Sequence, residues 1–359
     1  VEICGLDPST NGQGEAGHLV FYRGVDRLLR LVLRRLGIGL MILFAVSVLI
    51  FIGCEILPGD VAEVMLGQYA TPESVKALRV TLGLDRSPLE RYFAWLGGIL
   101  LHGDWGMSIT TKVPVSQLLG ERLRNTLVLG GITTLIAVPL ALGLGLLMAL
   151  GSGGRFDRSA SVAILALSAT PEFLIATIAV LGFSVQLKWL PAVAYLTPGS
   201  DFWQTFRALL LPVGTLVIVV TAQIARMTRA TIANLLESPF IEMAMLKGAS
   251  RPRIVFIHAL VNVVGPLANV IALNVAYLVS GVVIVETVFA YPGLARLMVD
   301  AVQARDLPVV QACAMVFCLA YVVLILIADF LAIFFNPRLL AQTRLAAQST
   351  AQPTAGATT

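Results

Sequence analysis

Charge is what this sequence has least of. Asp, Glu, Lys and Arg together make up 13% of its 359 residues, while 57% are hydrophobic. Soluble domains carry about a quarter charged residues, so a water-facing surface cannot be built from what is here. Histidine and cysteine are scarce too. His18, His102 and His258 are scattered and form no zinc-binding set, and Cys4, Cys54, Cys313 and Cys318 show no disulfide or metal spacing. Cys54, Cys313 and Cys318 lie inside apolar runs, where cysteine acts as a small hydrophobe. No G-x-x-x-x-G-K-[ST] phosphate loop occurs, and no Ser/His/Asp set falls on a predictable face. Together these absences point away from a soluble protein, a metalloenzyme and a nucleotide hydrolase.

What the sequence has is long apolar runs. A hydrocarbon core of ~30 Å needs ~20 apolar residues in a helix, and six stretches meet that length. They are Leu36 to Leu57, Thr126 to Leu150, Ser161 to Val185, Ala208 to Ala225, Val263 to Val285 and Val309 to Ala328. The predicted fold class is therefore an all-α integral membrane protein with six transmembrane helices. Pro139, Pro171, Pro212, Pro266, Gly143, Gly145 and Gly281 lie inside these runs, where they suit close packing and local kinks. The first run is too long for the apolar part of a cleavable leader and reads as a retained span.

The placement of positive charge orients the bundle. Arg23, Arg27, Arg30, Arg34 and Arg35 precede the first span, and Arg155 and Arg158, against Asp157, join the second to the third. Arg226, Arg229, Lys247, Arg251 and Arg253 join the fourth to the fifth, and Arg338 and Arg344 follow the sixth. All of these fall on one side if both termini are cytoplasmic. The expected organisation is a cytoplasmic, disordered extension over 1–29 and the first span with an outer segment over 30–125. A transmembrane core over 126–340 contains a cytoplasmic loop at 226–262, and a disordered tail covers 341–359. Residues up to Tyr22 are Gly-rich and lack periodicity, hence the first assignment.

Two connections are too elaborate to be plain loops. On the outer side, Thr71-Pro72-Glu73-Ser74 has the pattern of a helix start, with Thr71 capping and acid in the first turn. That helix should end at Gly83, and a second should start at Ser87-Pro88-Leu89-Glu90. Trp95 and Trp105 belong at interfacial depth, giving a small helical cap on the outer face. On the cytoplasmic side, Ser238-Pro239 should stop one helix and start another, with Ser238 as N-cap. Glu242 lies in its first turn, Lys247 in its last, and Gly248 supplies a left-handed C-cap. This nine-residue helix, ~14 Å long at 1.5 Å per residue, carries Phe240, Met243 and Met245. It is either a knob for a partner's groove or an ordinary capped surface connection. Ser250-Arg251-Pro252 would begin the helix that returns to the bilayer.

Glu242-Met243-Ala244, Gly248 and His258-Ala259-Leu260-Val261 follow the spacing of the "EAA" loop of ABC-importer permeases. Met243 stands for the usual middle Ala, His258 for Ile and Val261 for Pro, the last leaving the start of the fifth span less rigid. Further matching pieces are Ala249 through Asn262, Gly281 through Phe289, Tyr291-Pro292-Gly293-Leu294 and Asp306 through Val310. Others are Pro58-Gly59-Asp60, Leu82-Gly83-Leu84-Asp85, Gly103 through Ser108 and Asn336-Pro337-Arg338. In order, from Arg30 to Leu340, they resemble the first-permease subunit of the dipeptide/oligopeptide/nickel transport family, a MetI-like fold of the bacterial inner membrane. The resemblance implies that the loop docks on a separate ATPase, making Phe240, Glu242, Met243, Ala244, Lys247 and Gly248 coupling residues. It also implies a homologous second permease, two ATPase subunits that bind ATP and Mg, and a periplasmic substrate-binding protein. This chain would carry no cofactor and no catalytic residue, and it would meet membrane lipid rather than nucleic acid. The family handles dipeptides, oligopeptides, nickel chelates, glutathione and some glycans.

Ionisable residues inside spans are functional candidates by default. Glu55 and Glu286 lie near span ends, Glu172 comes directly after Pro171 within the third span, and Asp329 lies at the inner end of the sixth. Glu172 either lines the pathway or makes a packing hydrogen bond, and Glu286 either contacts substrate or packs at the outer gate. Asn262, Asn269 and Asn274 are expected to bond between helices. The competing functional class is a stand-alone secondary transporter or channel. Against it stand the lack of a visible inverted repeat, of a paired ion relay and of discontinuous-helix signals in matching halves.

Overall fold

A computed structural model describes residues 12–56, 61–81, 83–195, 199, 201–248 and 260–334. Within these, the side chains of 12–31, 61, 64, 65, 240, 244, 245, 260–262, 279–281 and 331–334 lie outside the described set. The described chain is helical, with one isolated bridge between Met107 and Pro114. Helix α1 (Gly12–Ile56) is followed by α2 (Val61–Leu66), α3 (Pro72–Thr81) and α4 (Pro88–Gly97). Then come α5 (Val115–Leu150), α6 (Arg155–Ala169), α7 (Glu172–Ala179), α8 (Phe202–Leu236) and α9 (Pro239–Leu246). The chain finishes with α10 (Leu260–Gly281), α11 (Val283–Val288), α12 (Leu294–Gln303) and α13 (Leu307–Phe334).

Among the described residues, five stretches are long and apolar enough to cross a membrane: Val32–Ile56, Val115–Leu150, Phe202–Leu236, Val263–Val288 and Leu307–Phe330. They coincide with five of the six expected spans. Helices α5 and α8 run well past their apolar runs, because adding a residue to an existing helix is far easier than nucleating one. The same reasoning accounts for α1, which begins at Gly12 inside the segment expected to be irregular through Tyr22. The N-terminal Val1 to Asn11 and the tail from 335 onward lie outside the described residues, as do the Pro58-Gly59-Asp60 and Asn336-Pro337-Arg338 pieces.

The third span departs from expectation. It is two helices, Arg155–Ala169 and Glu172–Gln186, bent by 100° at Thr170-Pro171. Thr170 is extended (φ −82°, ψ 126°), the conformation that a proline next in sequence imposes by clashing with a helical neighbour. Pro139, Pro212 and Pro266 instead sit inside unbroken helices. The distinction lies in the residues flanking each proline. Thr170-Pro171-Glu172 repeats the Thr71-Pro72-Glu73 pattern, a stop and then a start, with acid at the new N-terminus.

Packing centres on α5 against α8. A Cβ on Gly145 would lie 2.6 Å from Thr228 Cβ and 2.8 Å from the Ala225 carbonyl oxygen, so the two backbones approach as closely as glycine allows. Around this seam Leu129, Ala137, Ala141, Leu216, Ile224, Leu278 and Phe289 are fully buried. In contrast, only Gly39 and Ser47 are buried among the described side chains of α1. Its exposed Leu40, Met41, Phe44 and Leu49 form the surface that lipid tails would cover.

Polar bonds tie together ends that the charge pattern puts on one side. On the basic side, Arg35 pairs with Asp329 at 2.9 Å and Arg229 with Asp157. On the other side, Glu55 pairs with Arg91 and Ser108 bonds Asp306. The outer cap forms as expected: Thr71 Oγ1 accepts from Ser74 N at 3.2 Å, and Ser87 Oγ accepts from Glu90 N at 3.3 Å. Helix α3 closes through Gly83, which is left-handed at φ +66°. Helix α4 leans on α1 through Tyr92, whose hydroxyl shares a 2.8 Å hydrogen bond with Ser47. The Tyr92 and Phe51 rings meet edge to face at 5.4 Å.

Candidate functional site

Helix α9 succeeds α8 with only Glu237 and Ser238 between them. Ser238 N donates to Leu235 O at 3.0 Å, and Ser238 O accepts from Ile241 N at 2.9 Å and Glu242 N at 3.2 Å. The turn is therefore tight, with Glu237 itself near-helical (φ −83°, ψ 0°). The Ser238 hydroxyl is buried without a partner. The expected side-chain cap at Ser238 is thus not made, although the helix starts where Pro239 places it. At the other end Gly248 is left-handed at φ +80°, as its position after the helix required.

Ile241 is fully buried and anchors the inner face of α9, while Met243 and Leu246 are 57% and 78% exposed. These two residues stand three apart, side by side on the outer face. Glu242, Lys247 and Gly248 are also exposed, and nothing lies within 4 Å of a Cβ built on Gly248. The surface is an apolar pair flanked by one acid and one base. Leu246 carries no signal of its own in the sequence pattern. The Phe240, Ala244 and Met245 side chains and residues 249–259, including His258, lie outside the described set.

An ion pair with a buried acid and a partly exposed base braces the shaft that carries α9. Arg229 on α8 donates through Nε to Asp157 Oδ1 and through Nη2 to Asp157 Oδ2, the latter at 2.8 Å. Asp157 is 3% exposed and also accepts from Gly153 N at 3.0 Å. The start of α6 is thereby clamped to α8 by a two-pronged bond. In the sequence both residues serve only as orientation markers. The available signal was that Asp157 is the one acid in an otherwise basic connection.

The two span acids have different surroundings. Glu172 opens α7 at the 100° bend and is nine-tenths buried. Its Oε2 accepts from the Tyr277 hydroxyl at 2.9 Å, while Oε1 is buried with no partner. Tyr277 was missed, since an aromatic residue in a span carries no pattern of its own. Asn274, one turn earlier on α10, donates to Val270 O of its own helix at 2.9 Å. Its expected bond between helices is not made, and its Oδ1 lacks a partner. Asn269 is exposed, and the Asn262 side chain is outside the described set.

Glu286 is fully buried, and its carboxylate is fully occupied. Oε1 accepts from Thr126 Oγ1 at 2.6 Å and Oε2 from Arg296 N at 3.0 Å, with Ala295 N a further donor. Thr126 Oγ1 in turn accepts from Leu294 N at 2.8 Å. Glu286 therefore caps α12 and ties it to α5. The surrounding turn is pinned as well. Tyr291 donates its hydroxyl to Asn125 O at 2.8 Å, and Asn125 Nδ2 donates to Pro292 O at 2.9 Å. Burial, with the Glu286 charge adding to it, pushes the Tyr291 phenol above its ordinary range, so it remains a donor at neutral pH.

The family described as "Binding-protein-dependent transport system inner membrane component" matches residues 141–341, and its N-terminal counterpart matches residues 28–130. A probable peptide ABC transporter permease protein, y4tP, of Sinorhizobium fredii is 36% identical over 86% of this chain and 98% of its own length. The glutathione transport system permease protein GsiC of Escherichia coli K12 is 34% identical over 86% of this chain and 98% of its own. A solved inward-facing MetNI methionine ABC transporter covers 62% of this chain and 97% of that chain, at 16% identity and a TM-score of 0.49.

Proposed function

The chain belongs to the family of binding-protein-dependent transport system inner membrane components, and from that premise we propose a cargo, a docking point and a set of partners. As a multi-pass inner-membrane permease subunit of an ABC importer, it contributes half of the translocation path. Its cargo is short peptides, a class that includes glutathione. The names of its relatives support this, and those relatives match over nearly their whole length. A second permease of the same fold would complete the path, two ATPase subunits would bind ATP and Mg, and a substrate-binding protein would deliver cargo from outside. ATP hydrolysis resides in those ATPase subunits, with none of its chemistry in this chain.

The observation that carries the docking point is the α9 surface. Met243 and Leu246 project outward beside Glu242 and Lys247, between a proline start and a left-handed glycine stop. Exposed apolar side chains on a short, firmly anchored helix fit a partner's groove. Movement of that groove would pass along α8, and through the Asp157–Arg229 clamp to α6, as a rigid-body shift. Glu172, at the bend where α6 meets α7, is the acid we place beside the path. Glu286 we assign to holding the outer turn.

The test is Gly248→Val in the assembled transporter. A β-branched residue at φ +80° costs about 1–2 kcal/mol and would turn the end of α9 away from its partner. Membrane abundance should stay near wild type, ATP turnover should persist, and peptide uptake should fall at least tenfold. Normal uptake by this variant would remove the docking reading. Uptake by the purified chain alone in liposomes would replace the importer with a stand-alone transporter.

A further inference from the structure

Helix α4 belongs to the outer cap, yet its contacts with α1 set it below the edge of the apolar layer. Arg35 and Glu55 stand 20 residues apart on α1, with no Asp, Glu, Lys or Arg between them. At 1.5 Å per residue that interval is ~30 Å, the thickness of a hydrocarbon core. Glu55 therefore marks the edge of the core on the cap's side, and Arg35, paired with Asp329, marks the opposite edge. Arg91 of α4 pairs with Glu55 at that edge. One turn further along α4, Trp95 packs on Phe51, one turn deeper on α1, with ring centroids 6.3 Å apart. The Tyr92 hydroxyl reaches deeper still and meets Ser47 Oγ at 2.8 Å. Ser47 lies ~12 Å inside the edge at 1.5 Å per residue. Helix α4 thus descends beside α1 into the apolar layer.

The face of α4 turned away from α1 is bare. Leu89, Phe93 and Leu100 recur at i, i+4 and i+11, which puts them on one stripe of the helix. Leu100 and Leu101 belong to the π-helical turn Gly98–His102 that continues α4. All four side chains are at least 64% exposed. No Asp, Glu, Lys or Arg occurs from Tyr92 to Leu101; Glu90 and Arg91 come before this run and Asp104 after it. Leu49 and Ile52 of α1, between Ser47 and Glu55, are exposed as well. The stripe therefore continues the surface that lipid tails would cover on α1. Depth and the lack of charge select the occupant. A water-soluble partner stops at the headgroups, whereas acyl chains fill the layer beside Phe51 and Ser47. Amphipathic helices settled in a leaflet bury their apolar face about 5–10 Å into the headgroup–acyl boundary. Phe51, against which the Trp95 ring packs, is ~6 Å inside the edge.

We infer that α4 and its π-helical turn are sunk in the leaflet on the cap's side, with phospholipid acyl chains covering the Leu89–Phe93–Leu100 stripe. The partner of this surface is lipid, and the cap is anchored in the membrane through α4 rather than standing wholly in water. Pairing with Glu55 lets Arg91 sit at the point of entry without carrying a bare charge into the layer.

The test places reporters on the stripe in the full chain. Phe93→Trp and Leu100→Trp, purified and reconstituted into dioleoylphosphatidylcholine vesicles, each add one emitting indole to the wild-type signal. Both variants should keep the wild-type unfolding temperature. Phosphatidylcholine brominated in its acyl chains should quench the added emission at least twofold, and iodide on both sides of the membrane by less than one-tenth. Quenching by iodide with none by bromine would put the stripe in water and overturn the inference. Occupancy in the cell membrane is read by replacing Phe93 with photoreactive p-benzoylphenylalanine and illuminating native membrane vesicles. The expected product is the chain plus the mass of one phospholipid. A covalent band joining the chain to a second protein would make the stripe a protein interface, and the absence of any adduct would leave it in water. Either result overturns the lipid assignment.

Discussion

Replacing Glu286 separates a pathway charge from a structural cap. In the structure its carboxylate serves three donors: Thr126 Oγ1 and the backbone N–H groups of Ala295 and Arg296. Glu286→Ala leaves both N–H groups unpaired in a fully buried site. At about 1–3 kcal/mol for each unmet donor, plus the space vacated, the expected loss is about 4 kcal/mol. Glu286→Gln is milder. Its carbonyl can still accept from the helix start, and its amide can donate to Thr126 Oγ1, so only the charge-assisted part is lost, about 1–2 kcal/mol. Gly293→Ala provides an independent check, because a Cβ there would overlap the Glu286 carboxylate and push it off the cap. Thermal unfolding in detergent should rank the variants as wild type, then Gln, then Ala and the glycine variant. Transport measured alongside should fall in that same order. A Gln variant with wild-type stability and abolished transport would refute the cap reading and restore substrate contact, and an Ala variant of wild-type stability would refute it equally.

Gly145→Val should strongly destabilise the buried seam between α5 and α8. Its added carbons would meet Thr228 Cβ and the Ala225 backbone, forcing α5 from α8 at a cost of about 3 kcal/mol. Greatly reduced membrane abundance is the expected result, and normal abundance with normal protease resistance would contradict it. Asp306→Ala should release the outer loop. Asp306 is 3% exposed and accepts from Ser108 Oγ, and from Ile109 N and Thr110 N at 3.1 Å each, so about 3 kcal/mol of anchoring is removed. Limited proteolysis should then cut between Gly103 and Pro114 at least tenfold faster, with Asp306→Asn intermediate. An unchanged cleavage rate would show that the loop is held some other way.

Helix starts and stops were legible where the code is local. Thr71, Ser87 and Pro239 began helices, and Gly83 and Gly248 adopted the left-handed conformation expected of them. Each needs only neighbours within one turn to declare itself. Pro171 reads in the sequence as a local kink within one span, since hydropathy over Ser161 to Val185 does not register a change of direction as large as 100°. Asp157 with Arg229 and Ser108 with Asp306 are 72 and 198 residues apart, and no local pattern announces such partners. The same is true of Tyr277 on Glu172, 105 residues away.

By itself, the sequence determined the solvent, five of the apolar spans and the short helix that starts at Pro239 and stops before Gly248. These come from apolar length and proline–glycine punctuation, both of which act over a few turns of chain. Only the tertiary structure decided what the buried acids do. Glu286 became a helix cap, Asp157 a clamp, and Glu172 a half-satisfied carboxylate at a bend. A carboxylate in a low-dielectric interior takes its role from whichever donors the packing brings within about 3 Å, and those donors came from other helices.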